Sequence, residues 1–77
     1  MSDMIVRIKR KRFQELLTKN NWTQNGFALL ARLTSGHLSQ LVSGKRNVSA
    51  PTRAKILSQL DGTTFDDIFI IQYSGKR

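Results

Sequence analysis

The chain has 77 residues, of which 13 are Lys or Arg and 5 are Asp or Glu, so its formal net charge is +8. This length leaves room for one small domain, and the lack of cysteine together with a single histidine excludes a zinc finger or a disulfide framework. The excess of positive charge indicates a polyanionic partner.

Both ends of the chain, at residues 4–8 and 69–73, are rich in β-branched and aromatic residues. Such residues favour strands, so we predict that the two segments pair as a small two-stranded ribbon. The first residues lack the long apolar stretch of a signal peptide, and no run approaches the roughly 18 apolar residues of a membrane span. We expect a cytoplasmic protein that does not contact membranes.

Between these segments, apolar residues recur five times at spacings such as i, i+3 and i+4, which place them on one face of a helix. N-capping residues precede four of the helices, at Thr23, Thr34, Ser49 and Thr64. We therefore predict an all-α fold of five helices over residues 9–69, with residues 1–8 and 70–77 as tails or short strands. The predicted buried faces are Phe13, Leu16 and Leu17; Phe27, Leu30 and Ala31; Leu38, Leu41 and Val42; Ile56, Leu57 and Leu60; and Phe65, Ile68 and Phe69.

The third helix carries a polar face of short, uncharged side chains opposite its apolar face. A solvated helix face is usually rich in Lys and Glu, whereas a helix that enters the DNA major groove needs short hydrogen-bonding groups. Gln40 suits a bidentate contact with adenine N6 and N7, and Ser35 and Ser39 suit base edges or phosphates. An ordinary polar surface is the alternative. The face consists of Ser35, Gly36, Ser39, Gln40 and Ser43.

Cations cluster at the start of the first helix and after the third. Positive charge at a helix N-terminus opposes the helix dipole by about 0.3–1 kcal/mol per charge, a conflict typical of sites where function overrides stability. We predict phosphate contacts here; a solvated basic tail or a nuclear localisation signal is the alternative. The residues are Lys9, Arg10, Lys11 and Arg12, followed by Lys45 and Arg46.

No catalytic pattern is present in the sequence. The five acidic residues fall in a tail, on a helix face or at helix caps, and there is no cysteine nucleophile or glycine-rich phosphate loop. His37 has no carboxylate close to it in sequence. We expect no enzymatic activity, no cofactor and no metal.

The second and third helices, separated only by a short turn, form a helix-turn-helix pattern. Over about residues 9–69 the chain resembles the lambda repressor and Cro-like (Xre) helix-turn-helix family, which implies a compact five-helix DNA-binding domain. The resemblance rests on Thr23-Gln24, Phe27-Ala28, Ala31, Leu33-Thr34, Leu38-Ser39, Leu41, Ser43-Gly44-Lys45-Arg46-Asn47 and Ile56-Leu57.

The resemblance implies that Ser35, Gly36 and Gln40 read bases. Arg46 is the best guanine reader among the loop cations. The family often has glycine where this chain has Arg32, so we expect a different turn geometry. Phosphate contacts are expected at Gln24, Thr34, Ser43, Lys45 and Asn47.

From these patterns we expect a sequence-specific transcription regulator, a repressor, from a bacterium, phage or mobile element, that binds double-stranded DNA. A homodimer would use the last helix and the apolar segment after it, through Phe69, Ile70, Ile71 and Tyr73. The alternative is an interaction module, such as an antitoxin or anti-regulator, that docks this segment on a protein partner.

Overall fold

Five helices lie between two short strands in the computed structural model, which describes residues 4–73. All five helices fall in the predicted segments. The parts of the terminal predictions that concern residues 1–3 and 74–77 lie outside the described residues. The elements are β1 (Met4–Ile8), α1 (Arg10–Lys19), α2 (Gln24–Leu30), α3 (Ser35–Val42), α4 (Ala50–Ser58), α5 (Phe65–Ile68) and β2 (Phe69–Tyr73).

The two strands pair antiparallel and join the ends of the described chain; we call β1 and β2 together the ribbon. Ile8 pairs with Phe69, and Val6 with Ile71. Val6, Ile8 and Phe69 are buried, so one face of the ribbon closes the helical core. The all-α prediction is therefore wrong: the β-branched ends satisfy their backbone groups by pairing with each other, and the fold contains helices and a sheet.

The core is built mainly from the predicted apolar faces. Phe13 of α1 meets Phe27 of α2 edge to face, with ring centroids 5.3 Å apart. One prediction is wrong: Leu30 is 45% exposed, and Ala28 is buried in its place. The short helix α2 turns Phe27 and Ala28 inward, which leaves Leu30 at its last turn facing outward. The largest fully buried side chains are Phe13, Phe27, Phe69, Leu38, Leu41, Ile56, Ile68 and Val48.

Three successive helices, α1 to α3, end in the same way. A residue in the left-handed conformation follows each helix, with φ of 60° at Asn21, 60° at Arg32 and 82° at Gly44. The next residue donates its N–H to the carbonyl five positions earlier, at 2.9, 2.8 and 3.0 Å respectively. This is the Schellman motif, which satisfies the free carbonyl groups at a helix end.

The last helix is held at its start by Thr64 and Asp67, which form a capping box. The Asp67 carboxylate accepts from the Thr64 backbone N–H at 2.9 Å and from the Thr64 hydroxyl at 3.2 Å. The backbone hydrogen bond from Thr64 is the main reason that the pKa of Asp67 is lowered.

Candidate nucleic-acid interface

The polar face of α3 is open to solvent. Leu38 and Leu41 are fully buried on the opposite side of the helix, which fixes the rotation of α3 about its axis. Because these anchors are rigidly packed, the direction of the polar side chains is set by the core rather than by the side chains themselves. The exposed residues of this face are Ser35, Gly36, Ser39, Gln40 and Ser43.

The turn between α2 and α3 keeps the compact geometry although it has no glycine. Arg32 adopts φ 60°, so the expectation of a different turn geometry is wrong. A left-handed conformation costs an L-residue about 1–2 kcal/mol. The hydrogen bond from the Leu33 N–H to the Ala28 carbonyl and the burial of Leu33 hold the turn against this cost.

The N-terminal ends of both helices carry predicted phosphate-binding residues. The Thr34 hydroxyl oxygen accepts from the His37 N–H at 3.0 Å, so Thr34 caps α3 while remaining exposed. Gln24 is half-buried at the first position of α2, directly after the capping residue Thr23. Free N–H groups at a helix N-terminus favour anions, so both positions suit a phosphate.

Packing within residues 4–73 does not require a glycine at position 36. A Cβ added at Gly36 would meet no atom within 4 Å, and its φ is not in the left-handed region. At Gly26, by contrast, a Cβ would lie 3.1 Å from the Thr23 hydroxyl oxygen that caps α2. Glycine costs a helix about 1 kcal/mol relative to alanine. Packing within residues 4–73 gives no reason for this cost at position 36.

Two predicted base-reading residues are joined to each other. The Arg46 guanidinium donates to the Gln40 side-chain oxygen over 3.2 Å, and both residues are exposed. We call them the Gln40–Arg46 pair. Ser43, beside them, donates its hydroxyl to the Gln40 backbone carbonyl at 3.1 Å. Lys45 is exposed in the same loop.

The loop that follows α3 is held against β1 by contacts that the sequence did not reveal. The Asn47 carboxamide oxygen accepts from the Val6 N–H at 2.7 Å, and the Val48 N–H donates to the Val6 carbonyl at 2.9 Å. The Arg7 guanidinium donates to the carbonyl of Gly44. Asn47 therefore has a structural role through its side-chain oxygen. Of its side chain, the amide nitrogen remains for the predicted phosphate contact.

The cations at the start of α1 lie beside other elements than the cations of the loop after α3. The Lys9 ammonium donates to the Asp66 carbonyl of α5 at 2.8 Å, and Arg12 pairs with Glu15 at 3.3 Å. The main contacts of α1 are with α2 and α5, whereas those of α3 are with α2 and β1. Arg10 and Lys11 are exposed. The structure thus brings Lys45 and Arg46 to the polar face of α3, but shows no direct contact between that face and these four cations.

The predicted dimerisation residues divide into two groups. Phe69 is 1% exposed and belongs to the core, so its assignment to an interface is wrong. Its neighbours are accessible: Ile70 is 45%, Ile71 41% and Tyr73 63% exposed. Met4, which pairs with Tyr73, adds a further exposed apolar side chain at 59%.

Neither a metal site nor a membrane helix is found among residues 4–73. No three His, Cys, Asp or Glu side chains converge there, and none of the helices in that part of the chain is long and apolar enough to cross a bilayer. Comparison with protein-family models, with curated protein sequences and with solved structures found no match for this chain.

Proposed function

We propose that this chain is a sequence-specific DNA-binding regulator of transcription that occupies an operator with α3 in the major groove. The observation that carries the proposal is the exposed face of α3, which is polar, small and uncharged, on a helix anchored by Leu38 and Leu41. The major groove accommodates one helix, and short polar side chains permit close approach to base edges. The loop cations Lys45 and Arg46 adjoin this face and suit phosphate or base contacts.

Gly36 supports the same proposal. A glycine that costs helix stability and fills no tight space within residues 4–73 is explained if another molecule approaches the α3 backbone at that point. The net charge of +8 supplies the long-range attraction to the phosphate backbone.

The first test is selection of bound sequences from a random duplex library at roughly 0.15 M salt. We expect enrichment of one motif, with affinity at least about 10³-fold above that for unrelated DNA. Binding that depends on salt but selects no motif contradicts the proposal.

A matched pair of variants locates the DNA surface. Ser39→Glu places a carboxylate on the polar face of α3, and Gln14→Glu makes a similar charge change at an exposed position of α1. We expect Ser39→Glu to weaken binding to the selected duplex at least about 100-fold because a carboxylate meets the phosphates and base edges, and Gln14→Glu to have a small effect. Equal losses in both variants would show that net charge alone governs binding.

We also infer that two copies associate through the outer edge of β2. Within residues 4–73 this strand pairs only with β1, so its other edge leaves backbone groups for a second strand. An enriched inverted repeat with centres about 10 base pairs apart is the expected operator of such a dimer. Ile71→Lys should give monomers by light scattering, whereas Leu29→Lys, at a leucine of α2 that is 80% exposed, should not.

The exposed apolar side chains of the ribbon also favour a second candidate, an interaction module such as an antitoxin or anti-regulator. In that function the ribbon binds a protein partner through Ile70, Ile71 and Tyr73. Ser39→Glu would then leave the biological activity intact, and Ile71→Lys would abolish it.

A further inference from the structure

The Gln40–Arg46 pair has a defined chemical orientation. A guanidinium group has five N–H donors and no acceptor, so the Gln40 atom that faces Arg46 must be the carboxamide oxygen. That contact measures 3.2 Å, and both side chains are exposed on the side that we assign to DNA. The Gln40 amide nitrogen, a donor, is the group that remains unengaged by Arg46.

This orientation bears on which base the pair reads. A free glutamine reads adenine with both ends: its oxygen accepts from N6 and its nitrogen donates to N7. In the pair, Arg46 already donates to one lone pair of that oxygen, and its positive charge beside the oxygen repels the electropositive N6 amino group of adenine. Guanine instead offers two acceptors, N7 and O6, to the donors of Gln40 and Arg46.

We infer that the Gln40–Arg46 pair acts as one unit that presents the N–H donors of both side chains to the base and reads guanine. Arg46 is both a reader and a positioning residue, because its hydrogen bond converts Gln40 from an adenine reader into part of a guanine reader. The inference rests on the proposed DNA-binding function and replaces the expectation that Gln40 recognises adenine.

The test compares four proteins in the same duplex selection: the wild type, Gln40→Ala, Arg46→Ala and Lys45→Ala. The base position read by the pair is the one whose preference weakens most in Gln40→Ala. At this position we expect the wild type and Lys45→Ala to favour guanine over adenine by about tenfold or more. In Arg46→Ala the freed glutamine should favour adenine. Lys45→Ala is the matched control because it removes the same charge from the adjacent residue.

Dissociation constants for duplexes that differ only at this position then measure the switch. A wild type that selects a motif with adenine there overturns the inference and leaves the proposed function standing. Retention of the guanine preference in Arg46→Ala also overturns it, since Gln40 would not then depend on its partner. A wild type that selects no sequence overturns the proposed function and the inference together. All three side-chain changes are at exposed sites, and thermal unfolding curves will test whether each variant is folded.

Discussion

Two regions of the molecule differ in the sequence separation of the contacts that hold them: the helix-turn-helix formed by α2 and α3, and the ribbon formed by β1 and β2. The former is held by contacts between residues close in sequence, such as the cap from Thr34 to His37 and the turn at Arg32. The ribbon is held by contacts across almost the whole described chain, such as Ile8 with Phe69. Yet the ribbon anchors the loop after α3 through Arg7, so the helix that we assign to DNA is positioned by the chain ends.

The largest effect should come from removing one core side chain in each region. Phe69 in the ribbon and Leu38 in α3 are both buried almost completely, at 1% and 0% exposure. We expect Phe69→Ala to lower the free energy of unfolding by about 3–5 kcal/mol and Leu38→Ala by about 2–5 kcal/mol, measured by urea denaturation. If Phe69→Ala does not fold, Phe69→Leu should show a smaller loss in the same direction. If Phe69→Ala left the free energy of unfolding almost unchanged, the ribbon would not contribute to the stability of the helical core.

A smaller effect should follow when the link between the two regions is removed. Arg7→Met keeps most of the apolar stem but loses the hydrogen bond to the Gly44 carbonyl. We expect a loss of about 1–2 kcal/mol in the free energy of unfolding, together with weaker binding to the selected DNA because the loop carrying Arg46 is less fixed. Arg10→Met is the matched control at an exposed cation and should change stability by less than about 0.5 kcal/mol.

Gly36→Ala should separate stability from function within the helix-turn-helix. The added methyl group meets no atom within 4 Å, so we expect the free energy of unfolding to rise by about 1 kcal/mol. Binding to the selected duplex should weaken, since the methyl group lies on the face that we assign to DNA. A variant that is more stable and binds equally well would show that DNA does not come close to this position.

The smallest effect concerns the cap that precedes β2. Because the pKa of Asp67 is lowered in the folded protein, its ionised carboxylate stabilises the fold at pH values above the unfolded pKa of about 4, and this contribution is lost as the pH falls through the folded pKa. We expect Asp67→Asn to melt at a lower temperature than the wild type near pH 6, with the difference shrinking towards pH 2. If the difference in melting temperature between Asp67→Asn and the wild type did not change with pH, the lost stability would come from packing rather than from the charge of Asp67.

The local features of the fold were accessible from the sequence, and the long-range ones were not. Thr23 and Thr34 cap their helices as predicted, because a cap needs only the next three residues. The contact between Asn47 and Val6 spans 41 positions and leaves no periodic signal, so Asn47 was assigned to phosphate alone. Phe69 was assigned both to the buried face of the last helix and to an interface, and its pairing with Ile8, which decides for the core, is a long-range contact of the same kind.

The exposed face of α3 was predictable from the sequence, whereas the contact between Gln40 and Arg46 was not. Helical periodicity alone indicated that Ser35, Ser39 and Gln40 share an exposed face, because burial of the opposite face is a local property. The bond between Gln40 and Arg46 depends on the left-handed turn at Gly44, which folds the loop back beside the helix. A helical-wheel projection covers only the residues within a helix, so it does not show that the loop after α3 folds back beside that helix.

The pairing of the chain ends also determines the order in which the protein can form during synthesis. Met4 and its partner Tyr73 are 69 positions apart, so at about 5–20 residues per second Tyr73 is added to the growing chain roughly 3–14 s after Met4. Helix formation itself takes about a microsecond, so it does not limit this order. Within the described fold, β1 therefore has no strand partner until β2 has been made, and the pairing of the two strands cannot precede the synthesis of all five helices.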